Sequence, residues 1–437
     1  MAIRDLKAAG TAGLVDMAYP HISRPIQSFH DDNDVLRRQV GKEMDIEVAS
    51  IDLQKYDEPY VGKVSLKERL KHFTFAWYAW TMSTGGVAFV LSVVPPAYRF
   101  SGLTTIGTVI FVMNLFFFTF VTITISTRFI MHPGTFTHSL TNPHEGFFFA
   151  TFWLSLATMI TNTTAYGIPN SGPWLITALR YAFWVYAVCA TLLAIFYYHV
   201  LFTVKMLVIT NVLPGWVLPI FPAMLVGTLA AAIAKTQPAE HAMPILVVGL
   251  SYQGLGFFVA LMMYGVYFGR LLTSGLPIDM SRPAMFIAVG PPSFTALAFI
   301  GMGQDVVAAK IFSTYTILPG IADQTMIPDF LQLLALLFAI FLWVLAFWFF
   351  AIALVATIEA IPRNDFHLNW YAYVFPNVGF TISTVKIGER LNSAAIQAVG
   401  IGMAAVLFFL WILIMICHVR AIVQRKICWP GKDEDAH

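Results

Sequence analysis

The chain has 437 residues, 58% of them hydrophobic and only 11% charged, with a formal net charge of +2 and a mean hydropathy of +0.72. So small a positive balance does not suggest a nucleic-acid partner, and so much apolar sequence excludes an ordinary soluble domain; the composition is that of an all-α polytopic membrane protein. Cys189, Cys417 and Cys428 are widely separated and have no partnered His or Cys motif, which argues against a disulfide framework and against zinc.

Residues 1–62 hold 11 of the 24 Asp and Glu, are interrupted by Pro20, Pro25 and Pro59, and carry no apolar stripe of useful length. They read as a flexible cytosolic tail. No apolar signal core is present, so the first membrane helix is expected to direct insertion.

From His72 onward the polar and Pro/Gly breaks delimit ten apolar stretches, predicted as helices over 72–94, 103–127, 147–166, 173–200, 209–234, 244–271, 283–303, 329–358, 368–388 and 392–419. Each is long enough to span ~30 Å of hydrocarbon with some tilt. The connections leave no room for a soluble domain, so the expected organisation is a tail over 1–62, a ten-helix domain over 63–420 and a short cytosolic tail over 421–437. Loops on the N-terminal side carry thirteen Lys and Arg, among them Lys63, Lys67, Arg69 and Lys71, against five opposite: Arg99, Lys235, Lys310, Lys386 and Arg390. The positive-inside bias predicts both termini in the cytosol.

The odd helices share a pattern that the even ones lack: an aromatic residue, four positions, then two residues at a helix break. These are Trp80 with Gly85-Gly86, Trp216 with Phe221-Pro222, Phe286 with Pro291-Pro292, and Trp370 with Phe375-Pro376. The third helix departs from it, with Thr158-Met159 at the same offset from Trp153. Repeated broken helices point to a transport pathway, and the simplest architecture is five helical hairpins with the odd helices around a pore and the even ones facing lipid. Thr81, Ser83, Thr84, Ser293, Thr295, Asn377 and Thr381 lie beside the breaks and are candidate pore groups. The competing reading is close packing, with each hydroxyl bonded to its own backbone.

No ATP-binding loop, paired catalytic carboxylate, HExxH helix or nucleophile elbow is present, and no cofactor or metal is implied. No Asp or Glu sits in the middle of a predicted helix, which favours an anion or a neutral solute over a cation. Arg282, which leads into SRPAMFIAVGPPSFT, is the first choice for capturing a carboxylate, with Arg99, Arg128 and Arg270 as secondary candidates. Orientation and headgroup anchoring compete for Arg128 and Arg270, and Arg180 is expected to snorkel. Phe375 is a candidate gate, since a ring projecting into a narrow pore closes it sterically and excludes water; ordinary packing competes, because the chain has 38 Phe.

The segments HFTFAWYAWTMSTGGVAF, WVLPIFPAM, QGLGF, RPAMFIAVGPPSFTALA, FPNVGF and WPGKDEDAH resemble the C4-dicarboxylate branch, the fungal malate permeases, of the tellurite-resistance/dicarboxylate transporter family. The likeness runs from about residue 66 to the end. It implies ten helices as five hairpins around a central pore, in a homotrimer with one pore per protomer, in the plasma membrane. Plant slow-type anion channels belong to the same superfamily, and their ninth helix carries a gating phenylalanine in a context that AYVFP matches at Phe375. The implied substrates are malate, succinate, fumarate and similar acids. The same architecture serves both proton-linked uptake and channel-like anion flow; for want of a buried acid, a proton coupled to the flux is expected to ride on the substrate's second carboxylate. Efflux of small inorganic anions such as sulfite, nitrate or chloride is the alternative.

Overall fold

The computed structural model describes residues 64–429 apart from 205–206, 314, 317–319, 321–323, 362 and 364. The expected N-terminal tail and the last eight residues lie outside the described region. Among the described residues every regular element is helical.

Ten helices of thirteen residues or more organise the described chain: α1 (Tyr78–Ser92), α2 (Leu103–Met131), α3 (Phe149–Asn162), α4 (Trp174–Val204), α5 (Phe221–Ile233), α6 (Ala239–Ser274), α7 (Gly290–Ala308), α8 (Ile327–Ala360), α9 (Phe375–Arg390) and α10 (Ala394–Val423). The expected C-terminal boundary at 420 shifts slightly, since α10 continues to Val423. Seven segments are long and apolar enough to cross a bilayer: α2, α4, α6, α8 and α10, plus α5 and α7 taken with the tighter turns that flank them. α1, α3 and α9 have 15, 14 and 16 residues, short of the ~20 that a straight α-helical span needs.

The shortness of the odd helices has a local cause. α5, α7 and α9 are each preceded by a 3-10 segment, Pro214–Ile220, Asp279–Val289 and Leu368–Tyr373, and each has proline in its first turn. Proline has no N–H to give the preceding turn, and its fixed φ suits a helix start. The α-helix therefore begins at Phe221, Gly290 and Phe375, and the chain before it winds with about 2 Å of rise per residue, gaining length. α1 differs from expectation: its 3-10 segment is Phe75–Trp77, and the helix runs unbroken through Gly85-Gly86. Glycine alone, which keeps its N–H, does not force the break that proline forces. α3 has no such prelude and ends instead in a π turn over Thr163–Gly167.

Helices α1, α3, α5, α7 and α9 pack on one another in that order, and α9 returns to α1, closing the ring. α2 packs on α1, α4 on α5, α6 on α5 and α7, α8 on α7, and α10 on α9. The apolar windows of α5 and α7 are 89% buried, whereas those of the even helices are 22–33% buried. Large apolar side chains such as Phe116, Phe196, Phe258, Phe341 and Phe409 stand exposed on the even helices. An apolar surface of that extent fits hydrocarbon, not water.

Candidate functional site

The site forms where the proline breaks meet. The ring of Phe375, 2% exposed, stacks on that of Phe294 with centroids 5.1 Å apart and planes at 26°. Phe221 stands 6.4 Å from Phe375 and meets Phe294 edge-on at 6.1 Å. One aromatic from each of α5, α7 and α9 thus converges on a single level. Glycines make the approach possible: a methyl at Gly290 would stand 2.5 Å from Phe221 Cζ, and one at Gly379 2.8 Å from Phe294 Cδ2. Both are closer than carbon atoms can pack.

Phe375 lines two small cavities. One, of about 30 Å3, is bounded by residues that precede it along the helices, including Met82, Thr151 and Asn369. The other, of about 20 Å3, is bounded by residues that follow it, including Gly86, Thr158, Thr161, Thr228 and Val378. Beyond Phe89, Thr161 and Thr228, which line both spaces, opens a vestibule of about 600 Å3 at the C-terminal ends of the odd helices. Arg99, Lys235, Asp305, Lys386 and Glu389 line it. The sequence of spaces is vestibule, threonine-lined neck, small cavity, aromatic plug, small cavity.

The neck carries hydroxyls and no charge. Thr158 Oγ1 donates to the Ser155 carbonyl at 2.8 Å, while Thr228 Oγ1 is buried without a hydrogen-bond partner. A buried unpaired hydroxyl carries a desolvation cost that a passing anion could relieve by accepting its hydrogen.

Of the hydroxyls expected in the pore, most staple helices together instead. Thr81 bonds the Tyr78 carbonyl and Ser155 on α3; Thr84 donates to the Trp80 carbonyl and accepts from Trp411 on α10. Thr295 donates to the Pro291 carbonyl and accepts from Gln253 on α6. Ser83 donates to the Tyr371 carbonyl at 3.3 Å, tying α1 to the α9 break, and the Ser293 hydroxyl donates to the Gly290 carbonyl on its own helix at 2.9 Å, with the Pro376 carbonyl 3.4 Å away. Gly85 faces Thr158 and Asn114 as packing space between helices, and Gly86 alone of the pair lines the small cavity. Asn377 and Thr381 lie on the far side of α9, where they line a separate apolar cavity of about 580 Å3 shared with α8 and α10. Their one- and two-turn spacing from Tyr373 puts all three on the face away from Phe375.

The arginines divide similarly. Arg128, 4% exposed, is paired with Glu145 at 2.5 Å and donates to the Phe73 carbonyl at 3.2 Å, fixing the end of α2. Arg270 donates to the Thr210 and Gly275 carbonyls. Arg282 pairs with Asp279 at 3.0 Å and with Glu359 at 3.6 Å and donates to the Ala356 carbonyl at 2.7 Å. None of these three lines the vestibule or either small cavity; Arg99 does, with its Nε held by the Val94 carbonyl at 2.7 Å. Sequence reading missed Phe294, Thr228, Lys235, Lys386 and Asp305. Phe294 stands two residues after Pro292, and Asp305 lies past the predicted end of the seventh helix at 303, whereas α7 runs to Ala308; Lys235 and Lys386 enter the sequence reading only as charges that set orientation.

The family model described as voltage-dependent anion channel (SLAC1) matches residues 72–419. The chain is similar to the malic acid transport protein of Schizosaccharomyces pombe, 35% identical over 377 residues that cover 86% of this chain and 84% of that protein. A second S. pombe protein, a putative malic acid transport protein, is 34% identical over 376 residues, 85% of each chain. The sulfite efflux pump of Trichophyton rubrum is 27% identical over 368 residues, 82% of this chain and 93% of the pump.

Proposed function

Because the chain belongs to the voltage-dependent anion channel family, we propose that it carries C4-dicarboxylates of the malate type across a membrane along the axis of the odd helices. The observation that carries the reading is the Phe375 ring between two small cavities, in line with a vestibule to which three elements bring Arg99, Lys235 and Lys386. The likeness to malic acid transport proteins supplies the substrate class.

In this reading all ten helices cross the bilayer as five hairpins, since the 3-10 preludes of α1, α5, α7 and α9 and the π and 3-10 turns after α3 lengthen the short odd helices, and both termini are cytosolic. Anions collect in the vestibule by charge, shed water against the hydroxyls of Thr158, Thr161 and Thr228, and pass when the Phe375 ring rotates away. The protein acts as a transporter with no catalytic step. Homotrimeric assembly and plasma-membrane residence rest on family resemblance; mass determination in detergent and microscopy of a tagged chain test them.

A second reading has its own support: the neck carries hydroxyls without a cation, which suits small inorganic anions, and a sulfite efflux pump is among the relatives. Proteoliposomes decide between the two. Radiolabelled malate flux and current, compared with chloride and sulfite under set voltage and pH, should show malate carried in preference; passage of chloride or sulfite with no malate flux overturns the dicarboxylate assignment.

A further inference from the structure

The acid that the sequence reading leaves out is Asp305. The predicted seventh helix stops at 303, but α7 runs to Ala308, and Asp305 sits in its last turns, 3% exposed and lining the vestibule. The expectation that the chain offers no buried acid is therefore corrected. Asp305 Oδ2 accepts a hydrogen bond from the Lys235 backbone N–H at 3.2 Å, and Lys235 lines the same space.

The other charges at this end are accounted for. Glu389, across the vestibule on α9, is paired with Lys386 at 2.7 Å. Arg99, on the connection after α1, is held by the Val94 and Ser92 carbonyls. Tyr166, at the end of α3, donates its hydroxyl to the Ala88 carbonyl at 2.7 Å. At the start of α6, Glu240 and His241 lie 3.6 Å from each other; at the start of α8, Asp329 is exposed beside Gln332. Lys310 follows Asp305 beyond the helix end. Among the described residues Asp305 is thus the vestibule carboxylate that a neutral main-chain amide holds, with no cationic side chain clasping it.

We propose that the vestibule is a proton-dependent binding site for the entering carboxylate, in which Lys235 and Arg99 supply the positive charge, Lys386 being balanced by Glu389, and Asp305 acts as a removable negative charge. Ionised, Asp305 offsets Lys235 and repels the anion; one proton taken from vestibule water removes that charge and leaves Lys235 to the substrate. Asp305 is a positioning and charge-setting residue and touches no reacting atom. The inference rests on the reading that anions travel along this axis.

The test is radiolabelled malate uptake by the full-length chain in proteoliposomes, for wild type and Asp305→Asn, from about pH 5 to about pH 8. Protonation of malate itself affects both proteins equally, so the ratio of D305N to wild-type flux isolates Asp305. That ratio should lie near one at the acidic end and rise to about tenfold at the alkaline end, the order expected of one unit charge several ångströms from the anion. A ratio that does not change with pH overturns the proposal. Asp305→Glu, which keeps a titrating carboxyl, should retain the pH dependence with a displaced midpoint, and it serves if D305N fails to fold; a pH-independent D305E likewise overturns it. If wild type carries no malate at any pH, the transport reading itself fails, and the same ratio measured with chloride decides the vestibule proposal separately.

Discussion

Phe375 and Phe294 form a stacked pair, 5.1 Å between ring centroids, in which α9 supplies one ring and α7 the other. The pair stands at the level where both helices change from 3-10 to α winding. In the proposed gate the Phe375 ring leaves this stacked partner and the more distant Phe221 when it opens. Stacking of this kind contributes about 1 kcal/mol beyond burial, so opening remains within thermal reach.

Phe294→Ala should loosen the closed position without removing the gate. Malate flux in proteoliposomes rises, by less than for loss of Phe375, and the double variant shows no further rise over Phe375→Ala. Truncating so buried a ring also costs about 3 kcal/mol of stability, readable as earlier thermal unfolding in detergent. Independent, multiplicative effects of the two substitutions would show that the rings do not act as a pair.

Arg128 and Glu145 should matter for folding and not for selectivity. Each is almost fully buried against the other, so removing one partner strands a charge and costs about 3–5 kcal/mol. Arg128→Gln and Glu145→Gln should each lower the folded yield on size exclusion. Flux per folded molecule and the malate-to-chloride ratio should remain those of wild type. A changed anion preference would place Arg128 in the path after all.

Arg282 and Lys235 are predicted to separate. Arg282, tied to Asp279 and Glu359 away from the cavities, is a largely buried network member, 12% exposed, whose loss lowers stability; Arg282→Gln leaves the KM for malate unchanged. Lys235→Gln, in the vestibule, should raise that KM by about fivefold, the weight of roughly 1 kcal/mol from one exposed charged contact. The opposite pattern, with KM sensitive to Arg282 alone, would return capture to the other end of the helices.

The helices were legible in the sequence because an apolar stretch of membrane length has few alternatives, and all ten predicted stretches correspond to helices. The level of the helix breaks, where the proposed gate stands, was legible because proline marks its own position: Pro222, Pro291 and Pro376 each sit in the first turn of an α-helix. The faces were not. Asn377 and Thr381 adjoin Phe375 in sequence but, at 100° per residue, point toward α8 and α10. Hydroxyls near a break are candidate pore groups in the sequence, yet backbone carbonyls there are strong acceptors: Ser83 donates to that of Tyr371 and Ser293 to that of Gly290. Arg282 was favoured for its place beside the Pro-rich break, but a charge that finds Asp279 three residues away has no need of the pore. Asp305 is hidden by a helix end set at 303, a turn short of the end of α7 at Ala308; Lys235 and Lys386, at the ends of the fifth and ninth helices, enter the sequence reading only as charges that set orientation.

The most direct test of passage through the odd-helix axis is malate flux through Phe375→Ala in proteoliposomes, with current recorded in parallel. A gate at Phe375 predicts a rise of about fivefold over wild type in both, since removing one stacked ring lowers the closing free energy by about 1 kcal/mol. Flux and current unchanged in a folded Phe375→Ala protein would contradict the gate and the path through it.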